Sequence, residues 1–143
     1  MKKLMVINGP NLNLLGQREP EKYGELTLDD LESRMTSRFQ NILFNFKQSN
    51  LEGEIVNFLH SAAKDGVDGI LINPGGFSHT SVAILDAIKS IDVPIVEVHL
   101  TNLCKREDFR QTLLTGSGCL AVIQGGGFAS YTSGVQLLLD NIF

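Results

Sequence analysis

The sequence predicts an α/β fold: a five-stranded parallel sheet sandwiched between helices in three layers. Two observations predict it. Short, strongly apolar and β-branched runs recur along the chain, bounded by glycine, proline or asparagine. Between them lie longer segments whose apolar residues return at helical spacing. At 143 residues and 43% apolar, with 14 glycines and 4 prolines, the chain has the size and composition of one domain over residues 1–143 with a single core.

In chain order, "LMVIN" (4–8) reads as a buried first strand. Thr27 is placed to cap a helix carrying Leu28, Leu31, Met35 and Phe39 on one face. "ILFNFK" (42–47) alternates, with Ile42, Phe44 and Phe46 on one side, as an edge strand with one well-covered face does. "EGEIVNFLHSAAKDG" is helical through Ile55, Phe58, Leu59 and Ala62, with Gly66 as its stop. "GILIN" (69–73) and "PIVEVHL" (94–100) are the third and fourth strands, joined by a helix from about Ser81 to Ser90. "LAVIQ" (120–124) is the fifth. A last helix sets Phe128, Tyr131, Val135, Leu138, Leu139 and Ile142 on one face. Strands alternating with helices imply right-handed crossovers that cover both faces of a parallel sheet, which is flavodoxin-like in outline. In such sheets ligands bind beyond the carboxyl ends of the strands, at the switch in strand order. The polar groups collect there: 8–23 after the first strand, 48–50 after the second, 73–81 after the third and 99–102 after the fourth.

Charge and composition exclude several classes. A net charge of −4 and a pI near 5.3 argue against nucleic-acid binding, which draws on basic residues. No apolar run approaches the ~18 residues that span a bilayer, and "MKKLMVIN" lacks the apolar core and cleavage site of a signal peptide, so the expected location is cytoplasmic, with no membrane partner. Cys104 and Cys119 show neither metal spacing nor a disulfide pattern and are expected as two reduced thiols.

The glycine-rich stretches fit no phosphate site well. "GPNLNLLG" has no Lys-Ser/Thr, so it is not a P-loop, and "GGGFAS" follows the last strand with no second βαβ half. Turn geometry and close packing account for these glycines. Of the three histidines, His60 sits within a helix beside its apolar stripe and reads as a surface or packing residue. His79 lies in "NPGGFSHTS", whose hydroxyls suit a polyol. His99 ends the fourth strand, and Glu97 points to the same face two residues earlier, where a carboxylate orients an imidazole and favours its protonated form. A Glu/His metal site is the competing reading, with His79 as the one obvious further nitrogen ligand. The classes these features leave open are an enzyme working by proton transfer, a flavin-binding module of the same fold, and a metal-dependent hydrolase.

"INGPNLNLLGQREPEKYG", "TLDDLE", "QSNLEGEIVNFLH", "INPGGFSHTSVAILDAI", "VPIVEVHLTN" and "REDFR" occur in this order from about residue 6 to 131. Together they strongly resemble the type II 3-dehydroquinate dehydratases. The resemblance implies conversion of 3-dehydroquinate to 3-dehydroshikimate in the shikimate pathway, towards chorismate and the aromatic amino acids, without cofactor or metal. It implies a homododecamer of trimers, with an active-site lid at about 16–25. Carried over position by position, Tyr23 is the base, its tyrosinate favoured by Arg18; Asn11 stabilises the enolate through a water; His99, oriented by Glu97, is the acid. Asn73 with the backbone amides of Leu100 and Thr101 holds the carboxylate, His79 and Arg110 bind ring hydroxyls, and Asp86 serves a neighbouring subunit. Departures from the family's usual residues are Gly76 and Phe77, Thr101 after the acid histidine, and Cys104; none removes a catalytic group.

Arg106 reads as a solvated helix charge, and Asn8 and Asn50 as strand-end hydrogen-bonding groups. On the helix from Ser81, Ala83, Ile84, Ala87, Ile88 and Ile91 form a face suited to the sheet, while Val82 and Leu85 fall opposite, beside Asp86 and Lys89. That second stripe reads either as a subunit contact or as two scattered surface aliphatics.

Overall fold

A computed structural model describes residues 1–17 and 19–142, without the side chains of Lys22 and Tyr23. Five strands, β1 (Lys2–Asn8), β2 (Ile42–Gln48), β3 (Gly69–Asn73), β4 (Ile95–His99) and β5 (Ala121–Gln124), pair in parallel in the order β2-β1-β3-β4-β5. This is the flavodoxin-like order, and its switch point falls between β1 and β3. The register aligns the strand ends there, with Asn8 opposite Gln48 on one side and Asn73 on the other, and His99 opposite Gln124.

The central strands are apolar on both faces because both are covered. Leu4, Val6, Leu71, Val96 and Val98 pack against Leu31 and Met35 of α2 (Leu28–Arg38) and Tyr131, Val135 and Leu138 of α5 (Phe128–Ile142). Met5, Ile7, Ile70, Ile72 and Ile95 meet Ile55, Leu59 and Ala62 of α3 (Glu52–Lys64) and Ile84, Ala87 and Ile88 of α4 (Val82–Ser90). A one-turn helix, α1 (Pro20–Tyr23), precedes α2. On edge strand β2, Ile42 is buried and Phe44 and Phe46 are half-buried, as the alternation predicts. Thr27 caps α2 in a reciprocal arrangement: its hydroxyl accepts from the Asp30 amide, and the Asp30 carboxylate accepts from the Thr27 amide. Gly134 lets α5 sit close on the sheet, since a Cβ there would run into Leu71 and Val98. Among the described residues no helix is long and apolar enough to cross a membrane.

Three expectations are corrected. No α-helix joins β4 to β5; the chain crosses through three 3-10 turns, Leu103–Lys105, Asp108–Arg110 and Thr115–Gly118. The Asn102 side chain caps the first, and the Gln111 amide bonds the carbonyls of Leu103, Arg106 and Glu107, which a longer helix would have used internally. Arg106 is therefore not a solvated helix charge: it follows the first turn with its side chain only 10% exposed, and donates from Nη1 to Thr101 Oγ1 at 3.2 Å. On α4, Ala83 is exposed and Leu85 is buried, because the turn at 115–118 lies over that flank, so that a Cβ on Gly118 would come within 2.9 Å of Leu85. The second apolar stripe reduces to Val82, 58% exposed.

Candidate active site at the carboxyl ends of the strands

The floor of the site is a relay of buried polar groups where β1 and β3 end. Gly9 follows β1 so closely under the β3 loop that a Cβ would collide with the Pro74 carbonyl, and its amide donates to the Asn73 carbonyl at 2.7 Å. Tyr131, fully buried on α5, puts its hydroxyl between the two asparagines: Asn73 Nδ2 donates to it at 2.8 Å, and it donates to Asn8 Oδ1 at 2.6 Å. The direction is forced. The Gly75 amide can only donate, so Asn73 must turn its oxygen to it, at 3.1 Å, and its nitrogen to Tyr131. One amide hydrogen of Asn73 is left for the cleft. Burial pushes the Tyr131 phenol well above its ordinary range, which keeps the relay protonated. Asn8 and Asn50 serve as strand-end hydrogen-bonding groups, as read from the sequence. Asn8 is buried in the relay, and Asn50 Oδ1 accepts from the Asn11 amide at 3.0 Å, helping hold Asn11 at φ 71°.

β4 supplies the ionisable pair. Alternation puts Glu97 and His99 on one face, and His99 Nε2 lies 2.7 Å from Glu97 Oε2. Glu97 is fully buried; Ser78 Oγ donates to the same oxygen at 2.7 Å and Thr115 Oγ1 donates to Oε1. With Nε2 so engaged, Nδ1 is the histidine nitrogen left for the cleft. His79 stacks nearly parallel to His99, with ring centroids 6.5 Å apart, and donates from Nδ1 to the Thr112 carbonyl at 2.8 Å.

Between these parts lies a cleft of about 120 Å³. The loop after β1 contributes Pro10, Asn11 and Leu12, and the segment after β3 contributes Gly75, Gly76 and His79 beside Asn73. His99 and the β4–β5 crossover contribute Leu100, Thr101, Leu103, Arg106 and Arg110. Two arginines and two histidines line it, and among the described residues no aspartate or glutamate does, so an acidic chain carries a locally cationic pocket suited to a compact anion. Arg110 Nε donates to Glu107 at 2.7 Å. That hydrogen bond, with the charges of both arginines, holds the Glu107 carboxyl below the usual carboxylate range.

Of the residues singled out in the sequence, Asn11, Asn73, His79, His99, Leu100, Thr101 and Arg110 line one cleft, with Glu97 directly behind it. Arg18 lies outside the described residues, as does the Tyr23 side chain. Asp86 is exposed on α4 and does not line this cleft. Sequence reasoning missed Ser78, Arg106, Thr115 and the hydroxyl of Tyr131. Tyr131 left a signal, a phenol in an otherwise apolar helical stripe, and Ser78 a weaker one, a hydroxyl in a glycine-rich loop. No group of three or more metal-ligating side chains occurs among the described residues.

A family model described as dehydroquinase class II matches residues 2–139. A 3-dehydroquinate dehydratase of Fusobacterium nucleatum is 49% identical over 142 residues, covering 96% of this chain and 97% of the relative. One of Clostridium botulinum strain Hall is 44% identical over 144 residues, covering 99% and 97%. The crystal structure of a type II dehydroquinase from Butyrivibrio crossotus superposes with a TM-score of 0.94 at 39% identity, covering 96% of this chain and 97% of that one. Another, from Propionibacterium acnes, gives 0.91 at 35% identity, covering 98% of each chain.

Proposed function

This chain belongs to the class II dehydroquinase family, and from that premise we propose how its cleft works as a hydro-lyase: water is eliminated from 3-dehydroquinate to give 3-dehydroshikimate, through an enolate. The step belongs to the shikimate pathway. Tyr23, as tyrosinate beside the Arg18 guanidinium, takes the proton from C2, which the adjacent ketone acidifies. The enolate is stabilised by Asn11 through a water. His99 gives its proton to the C1 hydroxyl, which leaves as water while the C1–C2 double bond forms; transfer of the proton from Tyr23 back to His99 completes the cycle. Asn73 and the amides of Leu100 and Thr101 receive the carboxylate, and His79 and Arg110 the ring hydroxyls. No cofactor or metal enters this route.

The observation that carries the reading is the buried Glu97–His99 pair facing a cleft whose described lining has cations and no carboxylate. A short segment around 16–25 acts as the lid of a single domain, 1–143. The working assembly is a dodecamer of trimers in the cytoplasm, in which Asp86 reaches an adjacent subunit's substrate; the exposure of Asp86 and Val82 on one flank of α4 favours this.

Adding 3-dehydroquinate to metal-free protein should raise the absorbance of a conjugated enone. A colourless preparation active in the presence of a chelator excludes the flavin module and the metal hydrolase. Borohydride with substrate should leave activity intact; trapping of a lysine would overturn the enolate route. Tyr23→Phe should lower kcat by at least ~10²-fold with little change in ligand affinity. Sedimentation at assay concentration should show at least a trimer, and a fully active monomer would remove Asp86 from its role.

A further inference from the structure

The carboxylate behind His99 is satisfied in an uncommon way. Glu97 is fully buried, yet among the described residues no arginine or lysine bonds it; its partners are the Ser78 and Thr115 hydroxyls and His99. From this geometry we infer that Ser78 and Thr115 are positioning residues for the acid: their hydroxyls hold Glu97 as the anion, so that the proton shared by the pair resides on His99.

Two hydroxyl donors on a carboxylate favour its charged form, since each bonds the anion and bonds the neutral acid less well. A fully desolvated anion then favours a cation at the nearest titratable site, which is His99 Nε2 at 2.7 Å. Thr115 sits 2.5 Å from Glu97 Oε1 and 3.4 Å from Ser78 Oγ, so its single hydroxyl proton goes to the carboxylate. The two hydroxyls approach from different elements, Ser78 from the 3-10 turn after β3 and Thr115 from the last turn of the β4–β5 crossover. They fix the carboxylate plane as well as its charge.

Of the other charged or titratable groups around the pair, the arginines work against a protonated His99 and the thiol of Cys119 stays neutral. His79 stacks on its ring, and Arg106 and Arg110 line the same cleft. In the reading above Arg18 joins them, and the Tyr23 tyrosinate offsets one of these charges. Cys119, on the other side of Glu97, has its thiol pushed up to about 12 by burial and by the Glu97 charge, and remains a neutral thiol through the working pH range. Against the arginines, Glu97 is the negative charge in direct contact with His99, and it favours the charged acid.

The inference rests on His99 being the acid of the proposed reaction, and its test separates the two. Thr115→Val keeps the shape and deletes the donor; Ser78→Ala deletes the other. Losing either raises the proton affinity of Glu97, so that the proton of the pair passes from His99 to Glu97 in part of the molecules. The acid must be protonated to act, so kcat and the plateau of kcat/KM should fall ~10-fold, while the alkaline limb, which marks loss of the pair's one proton from either site, does not move down. Thr115→Ser, which keeps a donor, should return the plateau towards the parent value. The His99 imidazole, followed by nitrogen-15 resonance below the alkaline limb, should be protonated in the parent and in part neutral in the variants. An unchanged plateau with an unchanged His99 resonance, or Thr115→Ser behaving like Thr115→Val, overturns the inference. If the parent protein forms no enone, the reaction assigned to the cleft fails, and the histidine resonance alone still decides the role of the hydroxyls. If Thr115→Val does not fold, Ser78→Ala decides it by the same readouts.

Discussion

Between β3 and β4 the chain crosses on α4, whereas between β4 and β5 it crosses residues 100–120 with no α-helix at all. The first crossover is a packing element. Ser81 caps it, its inner face of Ile84, Ala87 and Ile88 lies on the sheet, and none of its side chains lines the cleft. The second contributes Thr101, Leu103, Arg106 and Arg110 to the cleft and Thr115 to the carboxylate behind it. A regular helix spends its backbone groups on itself and commits one face to the sheet. Short 3-10 turns change direction every few residues, so neighbouring side chains serve different purposes: Lys105 is exposed while Arg106, the next residue, lines the cleft. Their loose carbonyls are collected by Gln111, and Gln124 of β5 accepts from the Leu103 amide at 2.7 Å.

If this division of labour is right, substitutions in the two crossovers should move different observables. The largest effect is expected in α4: Ile84→Ala empties a fully buried site and should cost ~2–5 kcal/mol in urea unfolding, with kcat and KM of the folded fraction unchanged. A matching loss of turnover would mean that α4 shapes the cleft after all. Next is Arg110→Ala, which should raise KM ~10–100-fold, as expected for a charge-assisted hydrogen bond, while leaving the urea midpoint nearly where it was. A large loss of stability there would make the second crossover structural. Smaller still, Ser81→Ala removes the hydroxyl that accepts from the Ile84 amide at 2.9 Å and should cost ~1 kcal/mol, again without a kinetic signature.

The smallest effect concerns Glu107. Its carboxyl is held below the usual range in the folded chain, so its pairing contributes above the ordinary carboxylate pKa and is lost as pH falls through the lowered one. Glu107→Gln should flatten that acid-side slope of stability and barely change the neutral-pH value. An unchanged slope would show that the pair with Arg110 does not hold in solution.

The same contrast explains what could be read from the chain. Strands and α-helices announce themselves through periodicity, and β1 to β5, the Thr27 cap and the sheet-facing Ile84, Ala87 and Ile88 were legible on that ground. His99 with Glu97 was legible because a strand alternates strictly. The stretch 102–119 has no period to read, so its turns, the burial of Arg106 and the hydroxyl of Thr115 were not. Leu85 was misplaced for a related reason: helical spacing gives the direction of a side chain but not what a distant irregular segment lays over it. Ser78 was visible as a hydroxyl in a glycine-rich loop, but the carboxylate it serves lies 19 residues away, on β4.

The hydroxyl of Tyr131 reaches an asparagine 123 positions earlier in the chain. Proteins are made from the amino terminus onward, and contacts of such long range close last. A nascent chain that has not yet emitted residue 131 carries the strand ends at Asn8 and Asn73, but not the hydroxyl that joins their two side chains. The floor of the cleft is thus closed only once α5 has been made. Any stop codon before α5 yields a polypeptide without the bond that joins the ends of β1 and β3, so a closed cleft floor reports that translation has passed residue 131.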